Sequence, residues 1–476
     1  MKKLLVLAFT LLSYGILSNL SYAQIMYQEV TNKKFGIGAY GRVGVDWNFE
    51  DGGSIGRRLN LNNMGSIGGR MEEQDYLELA TALNFMPFKK RDSTIIYFQM
   101  RLSVFSRSLS LFGNSTTSTL GGLTIGMPEF YVAAKNINGK PISAWIGARL
   151  YRGEDVHIAD HFYFNDHSGQ GFGIEYKKTR FNAILVSSTD TSSTVPPYFY
   201  LNIKTGTPSL SLRGRWVYAL EHDIQLKKNN QLTLLGEYHR LQDASEEDVP
   251  DSLDFLNYPA DFGWVLGFRL NTQIPNMLEG SYNNLAVRYG ARIANGGDGG
   301  LSRTYLTFGA PNLETESFGK AYSWAIVNNT LLNFSDKVSL QSYFIYTNSK
   351  GAASSNDMAP TYFGREIYNK KEDFTVGGRL TNFITDKFHF LSELHYSQRR
   401  DGTEPLYTTV KVGIYPSFVP TGERNVWARP HLRFDFSLAW YNDYAMENLY
   451  SPYLEFMGEA RWGYYFGVKA EWWIWN

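Results

Sequence analysis

Near the end of the chain, Lys469, Glu471 and Trp473 share one face of an alternating stretch, and Phe466, Val468, Ala470, Trp472 and Ile474 share the other. One face is apolar. The other sets a large ring beside a cation and an anion. The same grouping recurs in distant parts of the sequence. Tyr40 stands two residues from Arg42, and Tyr76 two residues from Glu78. Tyr282 alternates with Asn284 and Arg288, and Trp427 with Arg429, His431, Arg433 and Asp435. Aromatic rings stack on the apolar faces of pyranose rings, and neighbouring Arg, Asp and Glu exchange hydrogen bonds with ring hydroxyls. A row of such sites, each weak, lets a sugar chain move from one to the next.

These residues need strands to hold them. Alternation runs through the whole chain. Phe98, Met100 and Leu102 oppose Tyr97, Gln99, Arg101 and Ser103, while Leu77, Leu79 and Leu83 oppose Tyr76 and Glu78. Segments 35–47, 212–220, 232–238, 282–289, 388–396 and 426–438 repeat the pattern. A period of two over this length predicts an antiparallel all-β protein. A soluble sandwich or β-helix also alternates, but its polar face looks to bulk water and has no reason to pair charges with inward rings. The pattern therefore points to a transmembrane antiparallel β-barrel, with an apolar wall toward lipid and a polar lumen.

Composition agrees. Mean hydropathy is −0.30, as expected when only alternate residues face lipid. Aromatic residues make up 16% of the chain, which suits interfacial belts of Tyr and Trp. Lys+Arg and Asp+Glu are both 46, so no basic excess points to nucleic acid. With no cysteine, disulfides and thiolate chemistry are excluded. Residues 1–23 read as a cleaved export signal: Lys2 and Lys3, an uncharged apolar run over 4–17, then Ser21-Tyr22-Ala23. Residues 24–476 then form one barrel domain of about 16 to 18 strands. Polar, Gly- and Ser-rich stretches at 51–69, 113–126, 189–197, 243–254, 295–315 and 349–358 read as loops, some folding into the lumen.

Residues 145–164, WIGARLYRGEDVHIADHFYF, followed by SGQGFGIE at 168–175, resemble the maltoporin signature. Tyr40-Gly41-Arg42-Val43-Gly44, Asp75-Tyr76-Leu77-Glu78-Leu79, Trp427-Ala428-Arg429-Pro430 and the terminal tryptophans resemble that family in the same order. The resemblance implies an eighteen-stranded trimeric outer-membrane porin passing maltodextrins along an aromatic slide beside an ionic track. It places slide positions at Tyr40, Tyr76, Tyr282, Trp427 and Trp473, and track positions at Arg42, Glu78, Asp155 and Asp160. Phe162 stands where the family has tyrosine, and Gly153 where it has arginine.

No catalytic residue, metal or cofactor is expected. Asp155-Val156-His157 is far short of a ligand set. The G-x-S-x-G string at 52–56 falls in a polar, Gly-rich stretch read as loop, so it is not read as the strand-to-helix elbow of a hydrolase. A general diffusion porin and a non-transporting surface adhesion barrel are the alternatives to a sugar channel.

Overall fold

The computed structural model describes residues 34–48, 56–86, 93–106, 123–186, 215–243, 259–296, 307–312, 314–315, 317–362 and 365–475. The expected export signal, the 189–197 loop and most of the 113–126, 243–254 and 295–315 loops lie outside these residues.

Eighteen strands form one closed antiparallel sheet. They are β1 (Phe35–Trp47), β2 (Tyr76–Phe85), β3 (Ile95–Ser106), β4 (Leu123–Lys135), β5 (Ile142–Arg149), β6 (Gly169–Tyr176), β7 (Thr179–Val186), β8 (Arg215–Lys227) and β9 (Asn230–Leu241). They continue with β10 (Asp261–Gln273), β11 (Tyr282–Arg292), β12 (Tyr322–Ser335), β13 (Val338–Lys350), β14 (Lys370–Phe383), β15 (Phe388–Asp401), β16 (Tyr407–Phe418), β17 (His431–Tyr441) and β18 (Trp462–Trp475). Each strand pairs with its sequence neighbours, and β1 pairs with β18 from Gly38↔Trp475 to Trp47↔Phe466. Closure leaves the barrel sheet without a free edge strand among the described residues, which a bilayer requires because lipid offers backbone groups no partner.

Alternation holds strand by strand. Val45, Leu79, Ile146, Leu266, Phe434 and Ile474 are exposed on the outside. Tyr40, Arg42, Glu78, Gln99, Arg101, Arg288, Arg433 and Glu471 are buried inside. One expectation fails. The segment 426–438 is not strand throughout, because β17 begins only at His431. Pro430 has no N–H for the ladder, so Trp427 and Arg429 sit in the connection that precedes the strand.

Two segments fold inward and share an apolar core inside the lumen with residues of the wall. Residues 56–75 bring Leu59, Leu61, Met64 and Ile67, and residues 150–168 bring Val156, Ile158, Tyr163 and Phe164. The first segment is tied to the wall: the Tyr441 hydroxyl donates to the Leu59 carbonyl at 2.7 Å, and Lys411 pairs with Glu72 at 2.9 Å. The second makes a small hairpin, pairing Asp155–Val156 with His161–Phe162 around a tight turn at His157–Ala159. Two short helices, Asp443–Glu447 and Pro452–Met457, lie between β17 and β18 and are capped by Asn442 and Ser451.

Candidate functional site

Tyr40 and Trp473 stand opposite each other across the β1–β18 seam. Arg42 stands opposite Glu471 on one side and Tyr76 on the other, and Tyr40 opposite Glu78. Period two keeps all of them on the lumenal face. The Tyr40 and Tyr76 rings are 5.8 Å apart and tilted by 52°. The Arg42 guanidinium lies 5.1 Å over Tyr76, whose hydroxyl donates to Glu78. Glu78 also pairs with Arg101 at 2.9 Å.

The other rings meet across the lumen. Tyr282, at the start of β11, forms one apolar cluster with Leu331, Trp427 and Trp473. The Trp427 connection reaches inward to make this contact. Arg429 lies 4.2 Å over the Trp473 ring. His157, from the lumenal hairpin, faces Trp427 at 5.2 Å and Trp473 at 6.0 Å. The expected slide positions therefore form two groups, Tyr40 with Tyr76, and Tyr282 with Trp427 and Trp473. Tyr40, Tyr282 and Trp427 are 3%, 7% and 7% exposed, while Tyr76 and Trp473 are half-buried.

Ionic groups link the two. The Tyr40 hydroxyl donates to Glu471 at 2.9 Å and accepts from Arg70 at 2.8 Å. Glu73 pairs with Arg42 at 2.7 Å and with Arg70 at 3.1 Å. Glu471 draws in Arg70 and Arg429 at 3.3 Å and Arg433 at 3.2 Å. Burial opposes the charge on Glu73, but Arg42 and then Arg70 outweigh it and hold the carboxyl down at about 2. Asp155 and Asp160 lie on the hairpin, not on the wall. Burial, then the charge of Asp160, pushes Asp155 up to about 7. Burial, then Glu73, pushes Asp160 up to about 6. Burial, then Arg70, takes His157 well below the usual histidine range.

Arg70 and Glu73 hold the centre of this network, and strand alternation could not find them because they lie on a folded-in loop. The signals in the sequence are the acidic pair at 72–73 beside Arg70 and the closeness of Arg70 to a track arginine of the maltoporin pattern, from which it is shifted. Gly153 has a local reason. A Cβ there would meet the Asn165 side-chain oxygen at 1.5 Å, so no arginine fits while Asn165 holds its bond to Glu221.

A family model described as LamB porin matches residues 35–473. The chain belongs to the LamB porin family. It is an outer-membrane porin channel built on an eighteen-stranded barrel. Among solved structures, this LamB-family porin is similar to Wzi of Escherichia coli, described as a carbohydrate-binding β-barrel involved in capsule assembly. Identity is 10%, with 92% of this chain and 84% of that one covered, and the TM-score is 0.39. Salmonella typhi OmpF, in complex with daunomycin, matches at 11% identity over 92% and 97%, with a TM-score of 0.40. A loop-deletion form of Vibrio cholerae OmpT matches at 8% identity over 93% and 100%, with a TM-score of 0.38.

Proposed function

We propose that this LamB-family porin carries neutral oligosaccharides of the maltodextrin type by facilitated diffusion. The observation that supports the reading most is the meeting of Tyr282, Trp427 and Trp473 inside a charged lumen, with Tyr40 and Tyr76 beside the same ionic network. Each of the two half-buried rings has a guanidinium over it, Arg42 over Tyr76 and Arg429 over Trp473. In this reading a sugar stacks on the opposite face of each ring, and Arg42, Glu78, Asp155 and Asp160 exchange hydrogen bonds with its hydroxyls. No energy input is needed, since consumption of the solute downstream sets the direction. The reading includes a homotrimer and removal of residues 1–23 on export.

A general diffusion pore is the second reading. The low exposure of Tyr40, Tyr282 and Trp427 favours it, because a ring that a solute cannot touch cannot guide it. Planar-bilayer recording with glucans of rising length separates the two. A sugar channel shows reversible current block at millimolar-scale concentrations that deepens with chain length; a general pore shows none. N-terminal sequencing of the mature protein should start at Gln24, and unheated gels should run at three times the monomer mass.

A further inference from the structure

The lumen holds an open cavity of about 440 Å³ that none of the aromatic row lines. Residues 150–154 and Asn165 of the folded-in hairpin segment form one side, and strands β5 to β10 form the other. Glu175 and Arg180 line it and flank the two-residue turn at 177–178, so the cavity lies toward the short-turn mouth of the barrel. In outer-membrane barrels that mouth faces the periplasm. The volume is within the range that small-molecule sites use.

Three features define what would fit. The first is charge. Arg149, Arg152, Arg180 and Arg269 are matched by Glu154, Glu175, Glu221 and Asp223, so an ionic solute would upset a balanced lining. The second is the pairing of unmet polar atoms. Arg269 is 8% exposed, its nearest carboxylate oxygen on Glu154 is 3.6 Å away, and its Nε and Nη1 are buried without an acceptor. The side-chain oxygen of Asn165, in the same lining, is buried without a donor. A hydroxyl supplies both an acceptor and a donor. The third is the state of the one ring in the lining. Tyr151 runs nearly parallel to Trp145 and His167, at 6.4 and 5.9 Å, and has the Arg149 guanidinium 4.8 Å over it. Its π-system is already engaged, so stacking is not the means of recognition here.

We propose that this cavity is a second solute site, which takes a neutral polyhydroxylated unit by hydrogen bonding alone and stands off the aromatic row. The proposal rests on the sugar-channel reading for its role in transport, but not for binding itself. A sugar leaving the row toward the periplasmic mouth would find one more weak station there.

The test is one-sided current block with maltotriose, each block constant normalised to that variant's own open-channel current, beside calorimetric titration of the same sugar into detergent-solubilised protein. Arg269→Met should weaken block by about tenfold when the sugar is added at the short-turn side, the scale of one lost charged hydrogen bond, and by much less from the other side. Should Arg269→Met fail to assemble, Asn165→Ala tests the acceptor of the same cavity. Unaltered block and unaltered binding in an assembled variant overturn the proposal. So does tighter block by a trisaccharide of uronic acids, since the lining argument demands a neutral solute. If wild type binds maltotriose and loses that binding with Arg269→Met, yet shows no block, the cavity stands and the sugar-channel reading falls. If Trp427→Ala relieves block while Arg269→Met does not, the row stands and the cavity falls. Absence of binding to wild type overturns both.

Discussion

Arg70 Nη1 lies 3.1 Å from His157 Nδ1, and there the two folded-in segments touch. Arg70 also reaches Tyr40, Glu73 and Glu471, so one guanidinium ties both segments to the barrel seam. A unit charge about 5 Å from a passing ion in water changes its energy by about 0.8 kcal/mol, roughly fourfold in local occupancy. Arg70→Gln leaves Glu73 and Glu471 with less compensation. The zero-current potential in a KCl gradient should therefore move toward cation selectivity, by about twofold in permeability ratio once salt screening is included. A potential equal to that of wild type would place Arg70 away from the conducting path.

Asp155 and Asp160 give this region a pH response. Both carboxyls are pushed above their ordinary range, to about 7 and about 6, burial being the first cause for each. A raised carboxyl pKa means the docked hairpin binds more protons than the released one. Docking is thus favoured below about pH 4 and loses this contribution as pH rises through 6 to 7. Between pH 8 and pH 5 the lumen also loses two negative charges. Cation selectivity should fall over that interval, and Asp155→Asn should remove the upper part of the transition. A selectivity curve flat from pH 5 to 8 contradicts the assignment.

The wall of this barrel is legible in the sequence, and its contents are not. Lipid on one side and water on the other force a period of two, so Tyr40, Arg42, Glu78, Glu471 and Trp473 could be turned inward from alternation alone. Nothing forces a period on residues 56–75 or 150–168. Where they land is decided by packing into one apolar core, which holds Leu59, Leu61 and Ile67 with Val156 and Ile158, residues about a hundred positions apart. Glu73, at the end of the first segment, is tied to the wall by Lys469, whose Nζ donates to its carbonyl at 2.6 Å, and by Arg42 at 2.7 Å. Trp427 shows the opposite case. Alternation turns it inward only if a strand pattern runs across Pro430, yet it arrives from a connection that reaches into the lumen. The aromatic run at 161–164 is divided: Tyr163 and Phe164 are core for the folded-in segments, and Phe162 lies under Arg152 at 4.5 Å.

Closure of the β4–β5 pair depends on one small residue. Gly147 has φ +129°, and a Cβ there would lie 2.4 Å from the Phe130 carbonyl oxygen and 2.7 Å from the Tyr131 Cα. Those atoms belong to the backbone of the paired strand and cannot step aside. Gly147→Val should cost about 1–3 kcal/mol or more from overpacking and backbone strain. Less folded barrel should then appear on heat-modifiability gels. Gly236, where a Cβ meets nothing within 4 Å, is the control, and Gly236→Ala should fold as wild type does.

Trp427 offers the sharpest test of the aromatic row, because its ring is part of the cluster that links Tyr282 on β11 and Trp473 on β18. Trp427→Ala removes that link without altering lumenal charge. An aromatic contact of this kind is worth about 0.5–1.5 kcal/mol beyond area burial, which corresponds to roughly two- to tenfold in affinity. Oligosaccharide block should weaken by that factor, while open-channel conductance rises or holds, since the lumen becomes wider. The loss should grow with glucan length, because a longer chain spans from Trp473 to Tyr282 and a single glucose does not. An equal loss for glucose and for long glucans would mean that Trp427 acts only on local shape. Full retention of block would remove it from the solute's path and leave Tyr76 and Trp473, the two half-buried rings, to do the stacking.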